Sequence, residues 1–248
     1  MTTNSQGRVI PATLQPVDVA LMIDHSLLRP ELTAAEVHAG CELAAARKTI
    51  SVCAKPADVV LARDMLAGTP VRVGTVVGFP HGSSATAVKR YEAERALQDG
   101  AIEIDMVINI AALRGGDDNY VLNDIREVVA ASHGAGALVK VILENAYLDD
   151  EQIARGSRLV EQAGADFVKT STGFAASGAT VHDLLIMANS TSANVQLKAA
   201  GGVRTLDRLL DLVAIGVTRF GATATASILD DAEARAATHG ALAVPHCK

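Results

Sequence analysis

The sequence predicts a single-domain (β/α)8 barrel of the TIM type, and three observations carry that expectation. Roughly eight strand-like runs alternate with helical runs across the chain, with no linker or composition shift between them. Aromatic residues make up 3% of the 248 residues and Trp is absent, so the core must be built from Val, Ile, Leu and Ala, the usual filling of a parallel sheet covered by helices. Several strands also alternate apolar with charged residues. In a barrel the apolar face must meet the helices, which sends the charged face inward.

The elements follow in order. Residues 1–18 read as a loose tail. A first strand is expected at 19–24, followed by a helix from Thr33 to about 48 in which Glu36 is placed as the capping-box partner of Thr33. Residues 50–54 are strand-like, Pro56 opens a helix to about 67, and 71–77 is the next strand, leading to a helix over about 85–98. A strand at 102–108 precedes a Gly115-Gly116 loop and a helix over about 118–133. The second half keeps the rhythm, with strands at 138–143, 167–169, 195–198 and 217–220. Helices are expected at 149–162, 180–189, 205–215 and about 223–237. The barrel therefore spans 19–238, and residues 239–248 form a C-terminal tail with no readable role.

Parity within the strands locates the chemistry. Ile102, Ile104 and Met106 share one face, so Glu103 and Asp105 point inward, and the same alternation sends Lys140, Lys169, Gln196 and Lys198 inward. Charges inside a barrel are costly as mere core, and they read as an active site where the strands meet the βα-loops. Lys169 ends a short strand in FVKTSTGF (167–174), and Lys198 ends another in VQLKAAGGVR (195–204). If those strands are neighbours, each ammonium opposes protonation of the other, which is one route to a nucleophilic amine near neutral pH. The competing reading is that both lysines snorkel to solvent. Asp105 is the natural proton partner, with a structural salt bridge as its alternative. Asp24, after the first strand, either orients a neighbouring group or caps its loop. Cys53 shares the inward parity of Ser51 and Lys55, though a buried cysteine is more often a small hydrophobe than a nucleophile.

Two glycine turns, Gly201-Gly202 and Gly221-Ala222-Thr223, follow the last two strands, where backbone N–H groups and a helix N-terminus bind phosphate in many barrels. Thr172 and Gly173 join them on the substrate side. The net charge of −6 argues against a nucleic-acid or anionic-membrane surface. Cys41, Cys53 and Cys247 form an odd, widely spaced set that suggests neither a disulfide framework nor a zinc site, and a reducing cytoplasm fits. The seven histidines show no paired-ligand spacing, so no metal or cofactor is expected. Of these, only His81 is placed to face a substrate, the rest being assigned to surface helices and loops.

The motifs EIDMVINI (103–110), VKTSTGF (168–174) and LKAAGGVR (197–204), supported by IDHSLL, SVCAKP, VGFPHG and RFGATA, resemble those of the deoxyribose-phosphate aldolase family. The resemblance covers nearly the whole chain. It implies a barrel class I aldolase that reversibly cleaves 2-deoxy-D-ribose 5-phosphate to acetaldehyde and glyceraldehyde 3-phosphate without metal or cofactor. Carried over by motif, Lys169 is the Schiff-base lysine, Lys198 the lysine that lowers its pKa, and Asp105 the proton-relay acid. The departures from the pattern are His81 in place of Leu, Asn145 in place of Thr, Phe174 where some members carry a basic residue, and Ala222 within the phosphate turn. They are expected on the substrate rim. Two other readings stay open: a related lysine-dependent barrel acting on a different phosphorylated carbonyl compound, and a non-catalytic sugar-phosphate binder. The sequence also leaves open a homodimer.

Overall fold

The computed structural model describes residues 2–3 and 7–245. Eight parallel strands close into a barrel: β1 (Ile23–Leu27), β2 (Ser51–Ala54), β3 (Arg72–Val77), β4 (Glu103–Val107), β5 (Leu138–Ile142), β6 (Phe167–Lys169), β7 (Gln196–Ala200) and β8 (Val217–Ala222). Each strand pairs with its neighbours in sequence, and β8 closes on β1 with Gly221 opposite Asp24. The outer ring is α1 (Ala34–Arg47), α2 (Val59–Leu66), α3 (Thr86–Asp99), α4 (Asp118–Gly134), α5 (Asp150–Gln162), α6 (Val181–Ser190), α7 (Leu206–Val213) and α8 (Thr225–His239).

The outward strand residues Ile23, Val52, Val73, Ile104, Met106, Val139, Val141, Val168, Leu197 and Phe220 join one buried apolar layer with the helices. Burying one such side chain stabilises the fold by roughly 1.5–3 kcal/mol, so this layer is the main source of stability. Local signals fix the helix starts. Thr33 and Glu36 form the expected capping box, Asp149 and Gln152 form another, and Asp117, Thr180 and Thr205 each accept a backbone N–H of the helix that follows. A cap of this kind contributes about 1 kcal/mol.

The structure departs from expectation where short helical segments interrupt the βα rhythm. Pro16–Ala20 is helical, where residues 16–18 are expected in the tail and 19–20 at the start of the first strand. Pro16 at the first helical position and the Gln15–Asp18 capping box start the helix there. Beyond β4, Asn109 caps an additional turn of helix, Ile110–Gly115, between the strand expected at 102–108 and the Gly115-Gly116 loop, where no helix is expected. Gln196, although inward by parity, is exposed at the first position of β7, where it accepts a hydrogen bond from Thr218.

Both terminal segments carry short strands where described, the N-terminal one in the stretch expected as a loose tail. Arg8 is buried and donates to the carbonyls of Val195, Thr191 and Ser192. Thr13–Leu14 pairs antiparallel with Leu242–Ala243, burying Leu14 and Leu242. The C-terminal segment is thereby clasped to the N-terminal one beyond the last helix. Cys247 lies outside the described residues.

Candidate active site

Register alone brings the key side chains together. On β6 and β7 Lys169 stands directly opposite Lys198, and on β4 and β5 Asp105 stands opposite Lys140. The inward alternation of four strands therefore converges on one carboxylate. Asp105 Oδ2 accepts from Lys169 Nζ at 2.6 Å and from Lys198 Nζ at 2.6 Å, while Oδ1 accepts from Lys140 Nζ at 2.8 Å. Asp24 supports the other side: Oδ2 pairs with Lys198, and Oδ1 accepts from Ser51 Oγ at 2.7 Å and Arg219 Nη1 at 2.6 Å. Glu103 closes the lower tier, accepting from Lys140 at 2.7 Å and from Arg219 at 3.2 and 3.3 Å.

This network is dry. Asp105 is 0% exposed, Lys198 1% and Lys169 3%. Burial would raise the Asp105 carboxyl, but Lys140, Lys169 and Lys198 together hold it well below the carboxylate range. Asp24 is likewise held ionised against its burial by Lys198, Lys140 and Arg219. The two lysines then diverge. Lys169 is lowered, first by burial, with Asp105 opposing and Lys198 adding to the effect. Lys198 is raised, because Asp105 and Asp24 outweigh its burial. The snorkelling alternative fails on burial, and the site sets one lysine shifted down beside one shifted up.

Above this floor lies a cavity of about 650 Å³. Every other predicted site residue lines it: Lys169, Lys198, Asp24, Cys53, Thr172, Gly173, Gly201, Gly202, Gly221 and Thr223. Asp105 sits beneath and reaches the cavity through the two lysines. Cys53 packs with Leu28, Val76 and Phe79, and burial pushes its thiol up to about 11, so it is a wall rather than a nucleophile. The rim is backbone-rich. Gly201 and Gly202 have φ of 79° and 82°, and a Cβ on Gly201 would meet the Gly178 backbone at 2.8 Å, so only glycine lets these two segments touch. Residue Ala224 caps α8 without a side-chain hydrogen bond, and Ala222 and Thr223 just before it line the cavity.

Four of the sequence placements change. His81 is exposed and does not line the cavity. Asn145 is buried beneath the site, donating to Asp183 Oδ2 at 3.3 Å, so of the single-residue departures expected on the rim only Phe174 is found there with Ala222. Phe174 meets Phe79 edge to face with ring centroids 5.4 Å apart. The surface assignment fails for His25, which is buried on β1 with Nδ1 2.8 Å from Thr225 Oγ1. Lys55 belongs to a loop and not to the site, donating to the Leu32 carbonyl and pairing with Asp58.

Sequence reasoning missed Arg219, Arg204 and Glu144. Arg219 carried a usable signal, since it occupies the inward position between Val217 and Phe220. Glu144 carried none: it adopts φ 58° beyond the end of β5, and its carboxylate accepts the Thr172 backbone N–H at 3.2 Å. Among the described residues, no three His, Cys, Asp or Glu side chains group as metal ligands.

A closed parallel barrel whose βα-loop mouth opens onto a buried lysine of lowered pKa defines an enzyme of the (β/α)8 class equipped for amine chemistry on carbonyl compounds. Comparison with known proteins makes this specific. Residues 18–238 match the model of the DeoC/LacD family of aldolases, and the chain belongs to that family. It is 47% identical over 221 residues to a deoxyribose-phosphate aldolase of Rhodopirellula baltica, covering 89% of this chain and 92% of the relative. It is also 47% identical over 215 residues to deoxyribose-phosphate aldolase 2 of Staphylococcus aureus, covering 87% and 97% respectively. The solved deoxyribose phosphate aldolase of Aeropyrum pernix, described as a tetramer, superposes with a TM-score of 0.82 at 28% identity, covering 88% of this chain and 92% of that one.

Proposed function

We propose that this chain cleaves 2-deoxy-D-ribose 5-phosphate reversibly to acetaldehyde and D-glyceraldehyde 3-phosphate through a Schiff base on Lys169. The observation that carries this reading is the shared oxygen, Asp105 Oδ2, which accepts from both a Lys169 of lowered pKa and a Lys198 of raised pKa at the cavity floor. The Lys169 amine adds to the C1 aldehyde and water leaves, giving an iminium. The C3 hydroxyl then loses its proton, the C2–C3 electrons move into the iminium to give an enamine, and glyceraldehyde 3-phosphate departs. Protonation of the enamine at C2 and hydrolysis release acetaldehyde and the free amine.

Asp105, held ionised against its burial by the lysines around it, acts as the proton acceptor and returns the proton through Lys198 or a water. Asp24 orients Lys198. The phosphate is taken by the backbone of Gly201, Gly202, Gly221 and Thr223 at the uncapped start of α8, with Gly173 beside Gly201 and with Thr172 and Arg204 also lining the cavity. This end lies far from the reacting aldehyde, so its binding energy orients the C3 hydroxyl.

The test is a panel. Purified protein should release acetaldehyde from 2-deoxyribose 5-phosphate and only slowly from unphosphorylated deoxyribose. Turnover of a different phosphorylated carbonyl compound, with none of the deoxyribose phosphate, would overturn the substrate.

We take residues 19–238 as the catalytic unit, with the paired terminal segments as its clasp. Self-association into a homodimer or a larger homo-oligomer is supported by the tetrameric relative and is checked by light scattering. Among the described residues no helix is long and apolar enough to cross a membrane, and the unbridged Cys41 and Cys53 support a cytoplasmic location.

A further inference from the structure

The barrel interior holds one connected set of ion pairs, and its charges can be counted. Its carboxylates are Asp24, Glu103 and Asp105, and its cations apart from Lys169 are Lys140, Lys198 and Arg219. Three negative charges meet three positive ones. Lys169 enters as a seventh member through Asp105 alone, and it can donate that hydrogen bond as a neutral amine. A proton on Lys169 would leave the buried network with an uncompensated positive charge, which burial opposes.

Arg219, like Glu103 and Lys140, enters no catalytic step. It is 5% exposed, bridges Asp24 Oδ1 and both Glu103 oxygens, and lies over the Phe167 ring at 5.4 Å. Without it Asp24 would keep Lys198 and Ser51, and Glu103 would keep Lys140 and the half-exposed Arg72. We infer that Arg219 is a positioning residue that completes an electroneutral network of three carboxylates and three cations, and so leaves the Lys169 amine as the group that carries no charge. The inference rests on Lys169 being the nucleophile, as proposed above.

Other groups facing Lys169 do not alter the count. Cys53 is a neutral thiol, since burial raises it to about 11. Glu144, beyond β5, is engaged with Thr172 outside the connected set. Arg72 reaches Glu103 from a half-exposed position, where solvent screens its charge.

The two ends of the network should act with opposite sign. Register places Lys198 between Arg219 and Lys169, so two strand spacings, roughly 10 Å, separate them, and a unit charge at that distance moves a buried titration midpoint by about one pH unit at an effective dielectric constant of ~20. Arg219→Met should therefore raise the Lys169 midpoint by about one pH unit, and Glu103→Gln should lower it by a similar amount. The Arg219→Met/Glu103→Gln double variant should return it near the native value, and Arg219→Lys, which keeps the charge, should hold it there.

The assay incubates each variant with acetaldehyde and cyanoborohydride from pH 5 to pH 10 and maps the trapped adduct by mass spectrometry. Opposite shifts with restoration in the double variant are the expected result. An adduct on Lys169 whose midpoint stays put in both single variants, or moves the same way in both, overturns the charge-balance role and leaves the Schiff-base assignment standing. An adduct elsewhere in the native protein overturns that assignment itself. Should Arg219→Met fail to fold, Glu103→Gln against Arg219→Lys still decides, because a midpoint unmoved by Glu103→Gln refutes the balance.

Discussion

Replacing Lys198 by methionine keeps most of the side-chain volume and removes one charge. In the native protein both lysine nitrogens lie 2.6 Å from the same Asp105 oxygen, so they are at most about 5 Å apart, and two unit charges at that distance repel by about 3 kcal/mol at an effective dielectric constant of ~20. That repulsion opposes a proton on Lys169. Its removal also frees Asp105 to attract Lys169 more strongly, so both effects raise the amine. The expected shift is about two pH units upward, which makes the variant ~100-fold slower than native below the native midpoint and brings it towards native rates well above it. The assay is the pH profile of kcat/KM for aldol cleavage, measured alongside circular dichroism to confirm folding. A profile that keeps its position and loses only height would refute the electrostatic argument and assign Lys198 a direct part in proton transfer.

Further predictions concern the groups around that pair. Asp105→Asn removes the partner of three buried lysine amines, so it should abolish turnover and also destabilise the fold by about 3–5 kcal/mol, read from denaturant titration; native stability with lost activity would restrict Asp105 to the chemistry. Gly202→Asp, at a position with open space beyond its Cα, should cut cleavage of the phosphorylated sugar far more than Gly202→Asn, which shares its backbone strain and lacks the charge; equal losses would place the phosphate elsewhere. His25 is kept neutral by burial, its pKa lowered from 6.5 to about 4, so the unfolded chain takes up a proton that the folded one refuses. Stability supplied by neutral His25 is complete above pH 6.5 and is lost as pH falls towards 4, by up to about 3 kcal/mol, and His25→Asn should flatten that dependence in thermal melts.

Much of this site is legible in the sequence because a barrel strand has only two faces. Once Ile104 and Met106 are assigned to the helices, Asp105 must point inward, and the same argument places Lys140, Lys169 and Lys198 without any knowledge of their partners. The argument weakens where backbone leaves the strand. Glu144 reaches Thr172 from a left-handed conformation that no alternation predicts, and His81 sits on a loop whose course parity does not constrain. Helix starts with a capping residue were readable, as Thr33 and Glu36 show, whereas the Pro16–Ala20 and Ile110–Gly115 segments were hidden by apolar residues that suit a strand as well as a helix. Clasping of the two termini depends on pairing between residues 13–14 and 242–243, a contact too distant in sequence and too short to carry a pattern.

The central claim is that Lys169, and not its neighbour Lys198, is the amine that bonds to the aldehyde. Incubating the native protein with acetaldehyde, reducing with borohydride and sequencing the modified peptide by mass spectrometry tests it directly. The account predicts one ethyl group on Lys169, absent from a Lys169→Arg variant whose guanidinium stays protonated. An ethyl group on Lys198 with Lys169 unmodified would contradict it.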